Sequence, residues 1–335
     1  MDLLGHILAV TFPFFALVLC GYAAVRSRLL PTEAIPGLNV FVLYLALPAM
    51  LFRFAANTQI ASLMDAGTAL IYLLCALAML ALAVVTTHRG RIGWNDASFG
   101  ALVAAFPNSG FLGVPLLVAM LGQRAAAPSI VALSIDMVLT SSLCIATSRL
   151  DRHTGQAAGT TFVQALQGMA LNPLPWSIFL GSLSSGMALV PPEPILQVVT
   201  MLAQSASPVA LFTLGCMLAR SHGSIRQAQA SGLALPMRSD VARLVTYKLL
   251  LHPLLVLVAG RAAIAIGVPL DPYSAMVLVL VAALPSASNV PMLAERFGAD
   301  AGRVARIVMG TTAAGLVSFS IIAVTVVPTT LFRPG

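Results

Sequence analysis

Apolar runs of about 20 residues recur along this whole chain, and they decide most of what it can become. A helix of that length crosses a hydrocarbon core of about 30 Å. Only 9% of the 335 residues are charged, against roughly a quarter in soluble domains. A water-facing globular surface is therefore out of reach. The runs are continuous and lack the short alternation of barrel strands, which argues against a β-barrel. The expected fold class is an all-α polytopic membrane protein.

Ten spans are expected, at roughly 6–26, 36–55, 66–87, 97–122, 127–148, 169–190, 197–219, 242–266, 273–297 and 303–328. Arginine marks the sides. Loops after odd-numbered spans carry Arg26, Arg28, Arg89, Arg91, Arg149, Arg152, Arg220, Arg226, Arg238, Arg243, Arg296, Arg303 and Arg306, while the other side carries only Arg53, Arg124, Arg261 and Arg333. Cytoplasmic loops hold the Lys/Arg excess, so both termini are expected outside and the span count even. The segments 149–168 and 220–241 are expected to be polar cytoplasmic connectors too short for a soluble domain. The net charge of +7 then reports topology, and no basic-aromatic cluster points to nucleic acid as a partner. Cys20, Cys75, Cys144 and Cys216 lie far apart within apolar runs and read as small buried hydrophobes; no metal or cofactor is expected. Only Asp2 and His6 precede the first apolar run, which therefore reads as a membrane helix and not as a signal peptide.

The two halves of the chain match. Gly21, Pro31, Pro48, Leu51 and Phe52 recur as Gly181, Pro191, Pro208, Leu211 and Phe212, 160 residues later at every position. Further on, "FPNSGFLGVPLLVAMLG" answers "LPSASNVPMLAERFG": Pro107 pairs with Pro285, Pro115 with Pro291 and Gly122 with Gly298. With five spans in each half, the second half is expected upside down relative to the first. Residues 1–150 form repeat 1, 151–168 the cytoplasmic connector and 169–330 repeat 2. Inverted repeats of this kind are a plan of secondary transporters, with a site near the midplane.

Spans four and nine carry their own breaks. Pro107 lacks an N–H and clashes with the preceding turn, and Asn108, Ser109 and Gly110 follow at once. Asn and Ser are good N-caps, and Gly tolerates unusual backbone angles. In span nine Pro285 is followed by Ser286, Ala287, Ser288 and Asn289. Half-helices that start at the breaks would present N–H groups and positive dipole ends; those that stop there would leave carbonyls free. Crossed breaks of this kind can hold an anion on N–H donors and side-chain amides, or a cation on carbonyls.

Ionisable residues inside spans are costly and need partners. Asp136 falls in the middle of span five and answers Thr312 by the repeat spacing. It is expected either as a proton carrier or coupling-ion ligand, or as a carboxyl bonded to Ser134 or Thr140. Lys248 and His252, four apart, share a face of span eight. Both are further coupling candidates; the plainer readings are a Lys248 that snorkels to the headgroups and a His252 that packs. Arg53 ends span two as an interfacial anchor or an attractor of anions. No Walker A, zinc-ligand or nucleophile-elbow motif occurs, so no catalytic residues and no enzyme activity are expected.

"FPNSGFLGVPLL", "NPLPWSIFLGSLSSG", "ASPVALFTLGCMLA" and "ALPSASNVPMLAERFGAD" together resemble the auxin efflux carrier family, which includes plant carriers and bacterial malonate-type permeases. The resemblance covers nearly the whole chain. It implies a ten-span inverted-repeat fold like that of bile-acid/sodium symporters, with crossed helices four and nine and separate scaffold and transport parts. Homodimers are usual among its plant members. It carries Pro107 and Asn108 over to the first crossover and Pro285 to the second. The chain departs from many plant carriers in its short central connector and in lacking an Asn directly after Pro285, which shifts anion contacts there toward Ser286, Ser288 or Asn289. The implied function is secondary, ion-driven transport of small organic anions, such as malonate, across a bacterial inner membrane, with H+ or Na+ as coupling ion. A sodium-coupled or uncoupled carrier, a membrane-embedded ligand sensor and an intramembrane enzyme are the rivals.

Overall fold

A computed structural model describes residues 3–88, 92–149, 173–187, 189, 191–230 and 238–327. Among these residues every regular element is helical, apart from one isolated antiparallel bridge. That follows from the solvent. Lipid offers backbone groups no hydrogen bonds, so a spanning segment satisfies them within itself. Helix α1 covers Leu3–Arg26; α2, Ile35–Phe41, runs through a wide π turn, Val42–Ala46, into α3, Leu47–Ala56; the short α4 is Ile60–Leu63 and α5 is Ala66–Thr87. Then come α6, Trp94–Ala105, and α7, Val114–Leu121, with the π turn Ser109–Gly113 ahead of α7. Helix α8, Ala126–Ile135, continues through the π turn Asp136–Thr140 into α9, Ser141–Thr147. The rest are α10, Pro173–Gly186; α11, Glu193–Ala230; α12, Arg238–Thr246; the π turn Tyr247–Leu251; α13, His252–Ala265; α14, Pro272–Ala283; α15, Val290–Arg296; and α16, Ala301–Val326.

Seven helical stretches among the described residues are long and apolar enough to cross a membrane, and Ser109–Leu121 and Pro272–Ala283 are shorter apolar helices. The chain is thus an all-helical polytopic membrane protein. Three of its few acids start helices: Asp65 accepts from the N–H groups of Gly67 and Thr68, Asp271 from that of Ser274, and Asp300 from that of Arg303. Each satisfies orphan donors and favours the positive end of the helix.

Proline explains three of the four π turns. Pro48, Pro115 and Pro253 each sit two residues beyond such a turn, at the second position of the next helix. A proline ring collides with the carbonyl four residues back. Here that carbonyl belongs to Tyr44, Phe111 or Leu249, each inside the widened turn. The fourth turn, at Asp136, has Ser141 Oγ donating to the Asp136 carbonyl at 2.8 Å.

Helices α1, α3, α10 and α11 pack chiefly on one another, while α5 and α6, α13 and α14, and α12, α15 and α16 make a second set of contacts. Close approach in the first set depends on glycine. A Cβ at Gly21 would overlap the carbonyl oxygen of Phe212, and one at Gly215 that of Val18.

Several expectations need correction. The 38-residue α11 runs to Ala230, past the expected end of span seven at 219; Ile225, Arg226, Gln227, Ala228, Gln229 and Ala230 include several good helix formers. Cys20 is exposed on the outer surface of α1, unlike Cys75, Cys144 and Cys216. Arg303 is no loop arginine but lies buried in the first turn of α16. The connector 151–168, the start of span six, residues 231–237, Arg89, Arg91, Arg152 and Arg333 lie outside the described residues.

Candidate functional site

Helix α6 ends at Ala105 and α14 at Ala283, and the two breaks meet. Pro107 and Ser286 form the antiparallel bridge. The Asn108 N–H donates to the Pro285 carbonyl at 2.8 Å, and the Ala287 N–H to the Phe106 carbonyl at 2.9 Å. The interrupted segments thus repair part of each other's lost backbone bonding, as unwound backbone at membrane depth requires. Of the carbonyls at the breaks, those of Phe106 and Pro285 accept from the opposite break.

The candidate side chains converge on this crossing. Pro107, Asn108, Ser109, Pro285, Ser286 and Ser288 are buried, and Gly110 and Asn289 are half-buried. Asn108 and Asn289 occupy N-cap positions, yet neither side chain makes a capping bond, contrary to expectation. Gly110 does not have a positive φ, and a Cβ there would only touch Leu133 at 3.7 Å, so backbone freedom is not what the position requires. Instead, Asn108 Nδ2, Ser109 Oγ and Ser286 Oγ are buried without a hydrogen-bond partner among the described residues. Buried polar atoms are otherwise nearly always paired. All three can donate, and they cluster where the half-helix that begins at Ser109 presents its positive end. The Ser286 N–H is held by Thr311 Oγ1 at 3.2 Å, whereas Thr312 Oγ1 donates only to the Val308 carbonyl of its own helix.

Asp136, in the π turn between α8 and α9, is fully buried. Tyr72 Oη donates to its Oδ2 at 2.6 Å and Thr140 Oγ1 to its Oδ1 at 3.2 Å. Ser134, the other expected partner, bonds the Ile130 carbonyl. Lys248 is also fully buried, which overturns the snorkelling reading. Its Nζ donates to the Ala282 carbonyl at 2.6 Å and lies 3.3 Å from His252 Nδ1. With a charged Lys248, Nδ1 would be the acceptor of this contact and His252 would carry its proton on Nε2, which has no partner among the described residues. The Tyr72 and His252 rings stand 6.2 Å apart, linking the Asp136 and Lys248 groups. Tyr72, Thr311 and the Ala282 carbonyl were not singled out from the sequence. A usable signal existed for Lys248: of the 18 basic residues, it alone is lysine.

The broken helices are also joined at both ends. Arg124, just after α7, pairs with Asp271 at 2.9 Å, and Tyr273 Oη donates to the Leu121 carbonyl at 3.0 Å. Arg124 and Asp271 border a cavity of ≈ 580 Å³ that is also lined by Asn57, Asp65, Thr68 and Ser274. At the other end Asn95 Nδ2 donates to the Phe297 carbonyl, and Arg303 Nη1 to the Asp96 carbonyl. Arg53, in the last turn of α3, is not among the residues lining that cavity.

A polytopic helical protein with two interrupted helices crossing over buried donors has the architecture of a membrane carrier, and comparison with known proteins agrees. The model of the family described as "Membrane transport protein" matches residues 6–157 and 159–323. The chain belongs to that family, the auxin efflux carrier family that its motifs resemble. It is 28% identical over 312 residues to a Rhizobium meliloti (strain 1021) protein named "Putative malonate transporter", covering 92% of each chain. It is 24% identical to the "Uncharacterized transporter YfdV" of Escherichia coli (strain K12), covering 85% of this chain and 86% of that one. A 127-residue stretch, 37% of this chain and 22% of the relative, is 30% identical to the rice (Oryza sativa subsp. japonica) "Probable auxin efflux carrier component 1d". The family is one of transporters and not of enzymes.

Proposed function

We propose that this chain is a secondary transporter of small organic anions, carboxylates such as malonate or auxin-like acids, working by alternating access. The observation that carries the reading is the trio of buried, unpartnered donors at the crossing: Asn108 Nδ2, Ser109 Oγ and Ser286 Oγ. A carboxylate only accepts hydrogen bonds, so a set of donors beside a positive helix end suits it. Pro107, Gly110, Pro285, Ser288 and Asn289 complete the crossing. The malonate name of the Rhizobium relative agrees with this class.

The plan behind the site is ten spans in two inverted repeats, 1–150 and 169–330, similar in fold to bile-acid/sodium symporters. The antiparallel sense of the Pro107–Ser286 bridge supports it. So do the repeat partners Gly122 and Gly298, which both have positive φ, and Pro115 and Pro291, which both sit at the second position of a helix. The two sets of packed helices are the scaffold and the moving part. Asp136, Lys248, His252 and Thr312 are its coupling residues, and the driving ion is H+ or Na+. The arginine asymmetry supports a bacterial inner membrane with both termini outside.

The test is Asn108→Ala in proteoliposomes with labelled malonate. Because Asn108 Nδ2 makes no bond among the described residues, the variant keeps the wild-type melting temperature while uptake disappears. Uptake at the wild-type rate would remove Asn108 from the site.

A further inference from the structure

A groove of ≈ 400 Å³ runs between α13 and α14, away from the crossing. The sequence of each helix shapes it. Leu257, Gly260, Arg261 and Ile264 fall at i, i+3, i+4 and i+7 on α13, and Pro272, Ala275, Met276 and Val279 repeat that spacing on α14. Each set therefore shares one helix face. Gly260 and Ala275 bring the two helices close, since a Cβ on the glycine would meet that of Ala275 at 3.5 Å. Among the described residues that line the groove, only Arg261 and Tyr273 are polar.

Both polar groups sit at one end. Arg261 lies near the end of α13, which stops at Ala265, and Pro272 and Tyr273 open α14. Helix ends of a spanning protein lie at the level of the headgroups, where tyrosine is enriched and long basic side chains reach out of the hydrocarbon. Val279 is two turns further along α14, about 10 Å deeper at the helical rise. Leu254 and Val258 on α13 are exposed, so this helix shows an apolar face to the acyl chains. The groove is thus apolar in its depth and cationic at its mouth.

The charge at the mouth is uncommitted. Arg261 is exposed and makes no hydrogen bond or ion pair among the described residues. The acid beside Pro272 does not answer it: Asp271 is engaged by Arg124 at 2.9 Å and by the Ser274 N–H at 3.3 Å, and does not line the groove. A free guanidinium above an apolar slot is complementary to a molecule with an anionic head and a hydrocarbon tail, and the surrounding bilayer supplies one. We propose that the groove is a phospholipid site, with one acyl chain between α13 and α14 and the phosphate of an anionic lipid on Arg261. Tyr273 also donates to the Leu121 carbonyl, so the lipid braces the start of interrupted span nine against α7. The site does not depend on what the protein carries.

The test uses purified full-length protein stripped of lipid in a neutral detergent. Phosphatidylglycerol and phosphatidylcholine of matched chains are added in turn, and melting is followed. Phosphatidylglycerol raises the melting temperature over phosphatidylcholine by ~2–4 °C through binding to the folded state. Arg261→Ala loses this preference and binds phosphatidylglycerol about fivefold more weakly in native mass spectrometry, the effect of one basic residue at an anionic surface. Arg261→Lys keeps the preference, because the charge remains. Glycerol 3-phosphate, a head without chains, does not stabilise wild type. An equal response of wild type to the two lipids overturns the proposal, and so does an unchanged preference in Arg261→Ala. Stabilisation by glycerol 3-phosphate equal to that by the lipid would make this a free phosphate site and remove the chain from the groove. Lipid-free protein that runs as a dimer and ignores both lipids would put a second copy there instead and overturn the proposal.

Discussion

Gly181 faces the backbone carbonyl of Phe52 in the way Gly21 faces that of Phe212: in each case a Cβ would overlap the carbonyl oxygen. The two glycines are 160 residues apart, and so are the two phenylalanines. Each half of the chain therefore lends a glycine to the other's phenylalanine turn, and the contact is reciprocal.

Gly21→Ala and Gly181→Ala should each destabilise the protein by about 1–3 kcal/mol, because backbone cannot yield to the added methyl as a flexible side chain can. Gly37→Ala is the control, with open space around its would-be Cβ. There the exchange of Gly for Ala within a helix is neutral or favourable. Thermal unfolding in detergent compares the three. Equal melting temperatures for Gly21→Ala and Gly37→Ala would contradict the close approach.

The same residues show how far the sequence alone could be read. The recurrence of Gly21, Phe52, Gly181 and Phe212 depends on backbone packing, which leaves a residue-level mark, since only glycine fits. The prolines at 107 and 285 were legible for a similar reason: a missing N–H breaks a helix wherever it falls. What pairs across the crossing was not legible. The Asn108 N–H and the Pro285 carbonyl are backbone groups that every sequence supplies. Lys248 was misread because its position near a helix end suggests snorkelling; its burial comes from neighbouring helices, which the local sequence does not encode. Repeat spacing pointed to Thr312, whereas Thr311 makes the contact to Ser286. One residue on a helix turns the side chain by about 100°, finer than repeat matching resolves.

Asp136 gives a prediction about coupling. Asp136→Asn keeps one acceptor oxygen for Tyr72 Oη, and its amide NH2 can donate to the Thr140 hydroxyl oxygen, so the variant should fold. It should lose malonate accumulation driven by a proton gradient yet retain malonate exchange across the membrane, which needs no net proton movement. Tyr72→Phe leaves the fully buried carboxyl without its 2.6 Å donor and should cost about 1–3 kcal/mol. Gradient-driven accumulation by Asp136→Asn at the wild-type rate would exclude Asp136 as the proton carrier.

Two ion pairs at opposite ends of the broken helices should differ sharply in worth. Arg124 and Asp271 meet at 2.9 Å with side chains 70% and 40% exposed, while Arg303 and Asp240 meet at 2.7 Å with side chains 3% and 2% exposed. An exposed pair is worth about 0.2–1 kcal/mol, so Arg124→Ala should change the melting temperature little. Breaking a buried pair by removing one partner costs about 3–5 kcal/mol, because the other charge is left without water. Arg303→Ala should fall near the lower end of that range, since Arg243 remains 2.7 Å from Asp240 and keeps part of its compensation. The double variant Arg243→Ala, Arg303→Ala strips Asp240 of both and should unfold at a lower temperature than the sum of the single effects predicts. Additive effects in that double-mutant comparison would mean that the two arginines do not share Asp240 in the folded protein.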